Sequence, residues 1–242
     1  MPDSARSLTC AAVANDFDSV QTLLDSDTSN QQLEVSDDAM HAMSAAINNN
    51  NLMIVDLLLQ KGFKPTVRDF TCAVKACSYP ILALLLQNGY DINEVMQDDC
   101  PPPLADALFD PELVSWLLKH GADPNARCRY DVTPFSVAAR YASRDVIKLL
   151  LEHGASTDMG QPLHYAVRAN REDEVVKLLL ENGASPNRVM FENDLISYNQ
   201  FRCLGIGTPL DEAISQSNDR LVRLLSRYGA EPSTANKRGP SL

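Results

Sequence analysis

A phrase in which a run of leucines ends on a glycine returns six times along the chain, with its glycines at residues 62, 89, 121, 154, 183 and 229. The clearest copies are LLKHGADPN at 117–125, LLEHGASTD at 150–158 and LLENGASPN at 179–187. A phrase that recurs at intervals of roughly 30 residues predicts a repeat protein, in which stacked units bury one another's apolar surface.

The segment 133–154, TPFSVAARYASRDVIKLLLEHG, shows what one unit contains. Thr133 is a good helix N-cap because its hydroxyl can accept from a free amide of the first turn, and Pro134 suits the first helical position. Ala138 is small enough for a neighbouring helix to approach closely. A second helix follows, and Gly154 suits its left-handed C-terminal cap. The apolar residues of this second helix occupy more than one stripe, so the helix pair needs a neighbour on each side.

Three segments resemble the ankyrin repeat: TPFSVAARYASRDVIKLLLEHGA, QPLHYAVRANREDEVVKLLLENGA and TPLDEAISQSNDRLVRLLSRYGA. Across them they carry that family's Thr-Pro-Leu-His, Ala-Ala and Leu-Leu-x-x-Gly-Ala positions. The resemblance implies an all-α fold, a solenoid of stacked helix–turn–helix units with short hairpin-like fingers. We expect one array over residues 1–235 and a flexible tail at 236–242. The seven expected units are 5–27, 38–62, 70–89, 102–121, 133–154, 161–183 and 208–229.

The units are irregular, because successive glycines of the phrase are 27, 32, 33, 29 and 46 residues apart. In the third unit we take Thr71 as the N-cap, although Cys72 replaces the proline. In the sixth unit Gln161, a poor cap, replaces the threonine. These departures indicate a specialised array and not a consensus one.

The widest interval contains an insertion, a finger at 188–207. Its sequence includes Phe191, Tyr198 and Phe201, which is more apolar surface than an exposed loop needs. Long connections of this kind are usually functional or disordered, and this one is too aromatic to look disordered. We therefore predict that the finger takes part in binding.

Composition narrows the range of functions. The chain has 242 residues, a net charge of -11 and 45% hydrophobic residues, so it can bury a large core. Residues 1–100 hold fourteen acids and five bases, a net of -9, whereas residues 101–242 hold eighteen and sixteen, a net of -2. This acidic balance argues against general nucleic-acid or anionic-membrane binding. Six cysteines without a CxxC pair, and no apolar signal segment, favour a cytoplasmic or nuclear protein.

The sequence contains no HExxH, GxSxG, Walker loop or dinucleotide-binding fingerprint. His120 and His153 precede the glycines that end helices, and His164 stands at the family's Thr-Pro-Leu-His position, where the resemblance implies a structural hydrogen bond between units. No pair of histidines has the spacing of metal ligands. We expect no metal and no cofactor, and the sequence favours recognition over catalysis.

The resemblance implies that the residues just after the Ala-Ala pair line a concave recognition surface. In the fifth and sixth units these positions include Arg140, Tyr141 and Arg168. The hairpin before the fifth unit adds Arg129 and Tyr130. Arginine and aromatic residues are common interface anchors, so we expect an acidic or aromatic segment of another protein to bind here.

Arg140 and Arg168 also occupy equivalent positions on adjacent units, whose helices are expected about 8–10 Å apart. We expect the two guanidinium groups to bind one anionic group of the ligand. With the aromatic residues of the finger, the candidate binding residues are Arg129, Tyr130, Arg140, Tyr141, His164, Arg168, Phe191, Tyr198 and Phe201.

Two alternatives remain open from the residues alone. The finger can fold over the concave face and enclose an apolar pocket for a small molecule, which would make the chain a ligand-binding protein or an enzyme without a familiar motif. The polar groups available to such a pocket are Arg140, Tyr141, His164, Arg168 and Tyr198. The chain can also be a subunit or inhibitor in a fixed complex. On its own we expect a monomer.

Overall fold

A computed structural model describes residues 7–26, 37–95, 100–202 and 206–232, and every regular element in these ranges is helical. The expected tail at 236–242, the edges of the first unit and residues 203–205 of the finger lie outside the described residues. The chain divides into two compact units, Met1–Glu94 and Val95–Leu242. No helix in the described part of the chain is long and apolar enough to cross a membrane.

The compact unit Met1–Glu94 contains three helix pairs. The first helices of the pairs pack side by side as an inner row, and the second helices pack as an outer row. The inner helices are α1 (Leu8–Val13), α3 (Asp37–Asn48) and α5 (Val67–Lys75). The outer helices are α2 (Phe17–Ser26), α4 (Leu52–Gln60) and α6 (Tyr79–Gln87).

The compact unit Val95–Leu242 repeats this arrangement. Its inner row runs from a 3-10 helix (Pro103–Asp106) through α8 (Pro134–Tyr141) and α10 (Pro162–Arg168) to α13 (Pro209–Ser215), with each element packed on the next. The finger contributes the short helix α12 (Leu195–Phe201). The outer helices are α7 (Pro111–Lys119), α9 (Arg144–Glu152), α11 (Asp173–Glu181) and α14 (Asp219–Arg227).

Glycine ends the outer helices from α4 onward, as the sequence predicts. Gly154 has a φ of 87°, which is left-handed, and this turn lets the amide of Ala155 donate to the carbonyl of Leu150 at 2.9 Å. The same pairing joins Ala122 to Leu117 and Ala184 to Leu179. The C-terminal caps are therefore confirmed, and they explain why the glycine phrase recurs.

The inner helices α5, α8 and α13 begin at reciprocal caps. Thr133 accepts from the amide of Ser136, while the Ser136 hydroxyl accepts from the amide of Thr133. Thr208 and Asp211 form the same arrangement at the start of α13. Gln161 has a left-handed φ of 58° and makes no side-chain cap bond, as expected of a poor cap.

The predicted cap at Thr71 is wrong. Helix α5 begins at Val67, so Thr71 lies inside it, where its side chain is buried. The cap is Thr66, whose side chain accepts from the amide of Asp69 while Asp69 accepts from the amide of Thr66. The capping box of Thr66 and Asp69 fixes the start of the helix. Thr71 matches the threonine of the family's Thr-Pro pair, but the proline after it is missing.

Small residues allow the inner helices α8 and α10 to touch. Ala138 and Ala166 are completely buried. The hydroxyl of Ser136 donates to the carbonyl of Gly160, just before α10. Farther along the same contact, the guanidinium of Arg171 donates to the carbonyls of Ala139 at 3.0 Å and Ala142 at 2.6 Å. Small side chains at the contact, and hydrogen bonds from side chains to the neighbouring backbone, both hold one repeat against the next.

Replacing Ala138 with arginine tests this close approach. Ala138→Arg introduces a large side chain and an unpaired charge into a filled contact, so unfolding in urea should show a loss on the order of 3 kcal/mol or more. Ala76→Arg makes the same chemical change at an exposed alanine and is expected to have little effect. Equal stability of the two variants would contradict the helix contact.

Gly160 and Gly154 provide a second, matched test. Both have positive φ, 70° and 87°. A Cβ on Gly160 would lie 2.1 Å from the Ser136 hydroxyl oxygen, whereas a Cβ on Gly154 would meet nothing within 4 Å. Each Gly→Ala change costs about 1–2 kcal/mol for the left-handed backbone, and Gly160→Ala should lose about 1–3 kcal/mol more. Thermal and urea unfolding of the two single variants measure the difference, and equal losses would refute the tight contact.

Candidate functional site

The inner helix α8 ends in an exposed cation and an exposed aromatic ring. The guanidinium carbon of Arg140 lies 4.7 Å from the centroid of the Tyr141 ring, and Tyr141 is 53% exposed. Among the described residues no carboxylate forms an ion pair with Arg140. The stacked pair therefore offers both a flat apolar face and an unneutralised positive charge to a partner.

Arg168, at the end of α10, has a carboxylate partner. Its guanidinium lies 3.0 Å from a carboxylate oxygen of Glu212 on α13. Burial acts to raise the pKa of Glu212, but the hydrogen bond and charge of Arg168 outweigh burial, and the pKa lies below its ordinary value. The predicted anion site needed both arginines, yet Arg168 neighbours Glu212 and Arg140 neighbours Tyr141. Arg140 is thus the stronger candidate for binding an anion.

His164 on α10 joins neighbouring repeats instead of facing solvent. Its ring nitrogen Nε2 lies 3.2 Å from the carbonyl oxygen of Gly207, the residue before the cap of α13. This is the hydrogen bond that the family resemblance implied. Burial lowers the pKa of His164 from 6.5 to about 4, and hydrogen bonds to the backbone of Gly207 and Arg188 oppose this shift without overcoming it. A buried neutral histidine is a structural link and a poor contact for a partner.

The finger packs on the hairpin that precedes α8. The ring of Phe201 lies 5.6 Å from that of Tyr130, edge to face, and 5.5 Å from that of Phe191, which is buried. A guanidinium nitrogen of Arg127 in the hairpin also lies 3.5 Å from a carboxylate oxygen of Asp194. These contacts hold the finger against the array. The small-molecule alternative placed an apolar pocket between the finger and the concave face. At the base of the finger the rings of Phe191, Phe201 and Tyr130 contact one another instead of standing apart.

One edge of the finger stays open to solvent. Leu195 is 73% exposed and Ile196 is 53% exposed, and Tyr198 is partly exposed beside them on α12. In the neighbouring hairpin Arg129 is exposed, with its guanidinium carbon 5.9 Å from the Tyr130 ring. Of the predicted finger residues, Phe191 is thus interior, Phe201 is half-buried, and Tyr198 belongs to this open edge.

Two exposed apolar residues of the inner row were missed in the sequence. Phe109 is 80% exposed and lies between the 3-10 helix and α7, close to where the chain turns, as Tyr141 does at the end of α8. Ile214, 46% exposed, lies near the end of α13. The signal for Phe109 was the shortened segment LFDPEL, which leaves no room for a full inner helix and puts a phenylalanine in the turn.

Comparison with known proteins identifies the repeat. Residues 104–190 match the family model for ankyrin repeats, in three copies. An ankyrin repeat-containing protein of Treponema pallidum (strain Nichols) is 29% identical over 120 residues, which cover 46% of this chain and 40% of that protein. An ankyrin repeat protein of fowlpox virus (strain NVSL) is 32% identical over 162 residues, covering 63% of this chain and 45% of the viral protein. The chain therefore spans less than half the length of these curated relatives.

A solved structure shows the same fold. The crystal structure of the human ASB11 ankyrin repeat domain superposes with a TM-score of 0.61 over 93% of this chain and 99% of that domain, at 23% sequence identity. At this identity the similarity concerns the fold alone. It agrees with the stacked helix pairs described above.

The buried His164 predicts a pH dependence of stability. Between pH 6.5 and 4 the unfolded chain binds a proton at this histidine and the folded chain does not, so stability falls as the pH falls through this window. The contribution is about 2 kcal/mol between pH 7 and pH 5. His164→Asn keeps a hydrogen-bond donor and removes the titration. Urea unfolding at both pH values should show a pH-dependent loss smaller by that amount in the variant.

The control for this experiment is His153→Asn, which changes an exposed histidine at the end of α9. The pH-dependent loss of stability should be smaller in His164→Asn than in this control. If the two variants lose the same amount, the folded protein protonates His164 as readily as the unfolded chain does, and the buried neutral form is refuted.

Proposed function

The chain belongs to the ankyrin repeat family, and from this premise we propose that it is a protein-interaction module whose partner contacts the exposed ends of the inner helices. Ankyrin repeats generally serve as protein–protein interaction modules. The expected partner is a segment of another protein that carries a carboxylate next to an aromatic or aliphatic side chain.

The observation that carries this proposal is the stacked pair Arg140 and Tyr141. A guanidinium 4.7 Å from an exposed aromatic ring makes no contribution to the buried core, and arginine and tyrosine are the residue types that dominate interface energetics. The ring limits the rotamers of Arg140, so less conformational freedom is lost on binding. Among the described residues Arg140 has no carboxylate partner, so its guanidinium is available to donate hydrogen bonds to a carboxylate of a ligand.

The neighbouring repeats extend the surface in both directions. Phe109 and Ile214 add apolar area at the corresponding ends of the inner row. Arg168 is neutralised by Glu212, so the charge that a partner meets is concentrated at Arg140. This arrangement favours a short partner segment with one acidic residue between apolar ones.

The finger supplies the second contact of the proposed module. Its inner side is fixed by Phe191 and Phe201, while its outer edge presents Leu195, Ile196 and Tyr198. Because the buried side holds the segment in place, the open edge is preorganised, and a partner does not have to order a loose loop. Apolar side chains left outside on a fixed element are typical of interaction surfaces.

The double variant Arg140→Gln/Tyr141→Ser tests the anchor. Both side chains are exposed, so the fold should be retained, while affinity for a natural partner should fall about 30-fold or more, as for loss of an interface hot spot. Arg144→Gln, an exposed arginine on the outer helix α9, is the matched control. Partners captured from the native source by the unmodified chain and identified by mass spectrometry would be titrated against all three proteins. Equal affinities would contradict the proposed surface.

A further inference from the structure

We propose a second docking site, separate from the inner-helix surface: a groove between the outer helices α4 and α6 that binds an amphipathic helix of a partner with a basic residue beside its apolar ones. The groove lies within the compact unit Met1–Glu94. It is open to solvent and has a volume of about 320 Å³. Its lining residues are Leu52, Met53 and Asp56 of α4 and Pro80, Ala83, Leu84 and Gln87 of α6.

The apolar lining of this groove is not needed for the fold. Leu52 is 42% exposed and Met53 is 65% exposed. On the same helix Ile54, Val55 and Leu58 are completely buried and fill the contacts with neighbouring helices. Helix α4 therefore has apolar residues on its interior side and, at its start, on its solvent side as well.

The outer helices α9, α11 and α14 carry charge at all four corresponding positions. In α4 the first, second, fifth and ninth residues are Leu52, Met53, Asp56 and Gln60, and in α6 they are Tyr79, Pro80, Ala83 and Gln87. In α9 they are Arg144, Asp145, Lys148 and Glu152, and in α11 they are Asp173, Glu174, Lys177 and Glu181. The repeat tolerates charge at each of these places. The apolar surface at α4 and α6 is thus a local departure from the repeat, of the kind that marks an interaction site.

The shape of the groove favours a helix as the occupant. It runs between two helices that pack side by side. A third helix lying in such a groove presents residues spaced three or four apart along one side, and these insert as a row. A volume of about 320 Å³ takes the apolar side chains of such a row, whereas most of the partner helix stays outside.

The charge of the groove selects a basic partner. Asp56 is the one charged residue in the lining. One of its carboxylate oxygens accepts from Gln60 at 2.8 Å, and the other carries no hydrogen bond from the described residues. The net charge of -9 over residues 1–100 attracts a positively charged segment and repels an acidic one. A lysine or arginine one turn beyond the apolar residues of the partner can then pair with Asp56.

Helix α14 of a second copy of this chain fits the groove less well. The basic helix α14 carries Arg223 and Arg227 on its exposed side. Its apolar residues Leu221, Leu224 and Leu225 are buried in its own repeat. This helix cannot offer an apolar row and a basic residue to another molecule without leaving its own repeat.

Selection from a phage-displayed library of amphipathic helical peptides, with the full chain as bait, tests the proposal. Enriched peptides should carry two apolar residues three or four positions apart and a lysine or arginine within the next turn. Their dissociation constants would then be measured by fluorescence anisotropy. Met53→Gln, which removes an exposed apolar contact, and Asp56→Lys, which reverses the charge, should each weaken binding about tenfold or more.

Two controls separate this site from the rest of the molecule. Asp145→Lys makes the same charge reversal on α9, and Arg140→Gln/Tyr141→Ser removes the proposed inner-helix anchor. Both should leave peptide affinity unchanged, because neither change touches the groove. Failure of the inner-helix proposal therefore leaves this result unaffected.

Three results would overturn the groove proposal. The first is a selection that yields no peptide whose affinity falls with Met53→Gln. The second is an affinity that Asp56→Lys leaves unchanged or improves. The third is a concentration-dependent dimer of the unmodified chain in sedimentation velocity that Met53→Gln dissociates, since this would make a second copy the occupant.

Discussion

The close approach of neighbouring inner helices is the constraint on which the rest of the structure depends. At the contact of α8 and α10 there is room only for Ala138, Ala166 and the bare backbone of Gly160. This approach brings Ser136 within reach of the Gly160 carbonyl and Arg171 within reach of the carbonyls that end α8. A helix pair cannot bury its own apolar surface, so each repeat takes its stability from the next.

The same constraint decides where binding residues can stand. Residues that face a neighbouring repeat are committed to apolar packing or to hydrogen bonds between repeats, as His164 is to Gly207. Helix ends, outer helix faces and the finger are free of this requirement. Arg140 and Tyr141 lie at a helix end, Leu195 and Ile196 lie on the finger, and Leu52 and Met53 lie on the outer face of a helix. Each surface has a chemistry of its own, so each selects a different kind of partner segment.

Signals that act within a few residues were readable in the sequence. Gly154 and Thr133 mark a helix end and a helix start through their own backbone and hydroxyl chemistry, and both were predicted correctly. The predicted cap at Thr71 was wrong because it followed the family pattern, whereas the capping box of Thr66 and Asp69 starts the helix four residues earlier.

Contacts between distant residues were not readable in the same way. The partner of Arg168 is 44 residues away at Glu212, and the finger's support comes from Tyr130 in an earlier hairpin. Such pairings depend on the register between repeats, which irregular spacings of 27 to 46 residues obscure. The exposure of Phe109 likewise depends on the path of the chain between the 3-10 helix and α7, which no single position in the sequence specifies.

Hydrogen exchange in an Ala213→Arg variant tests most directly whether each repeat depends on its neighbour. Ala213 is completely buried on α13. In a nearest-neighbour stack, exchange measured by mass spectrometry should accelerate most in α13 and α14, next in α10 and α11, and least in the 3-10 helix and α7. Equal acceleration throughout residues 100–232 would show that this part of the chain unfolds as one cooperative body, and would contradict the account.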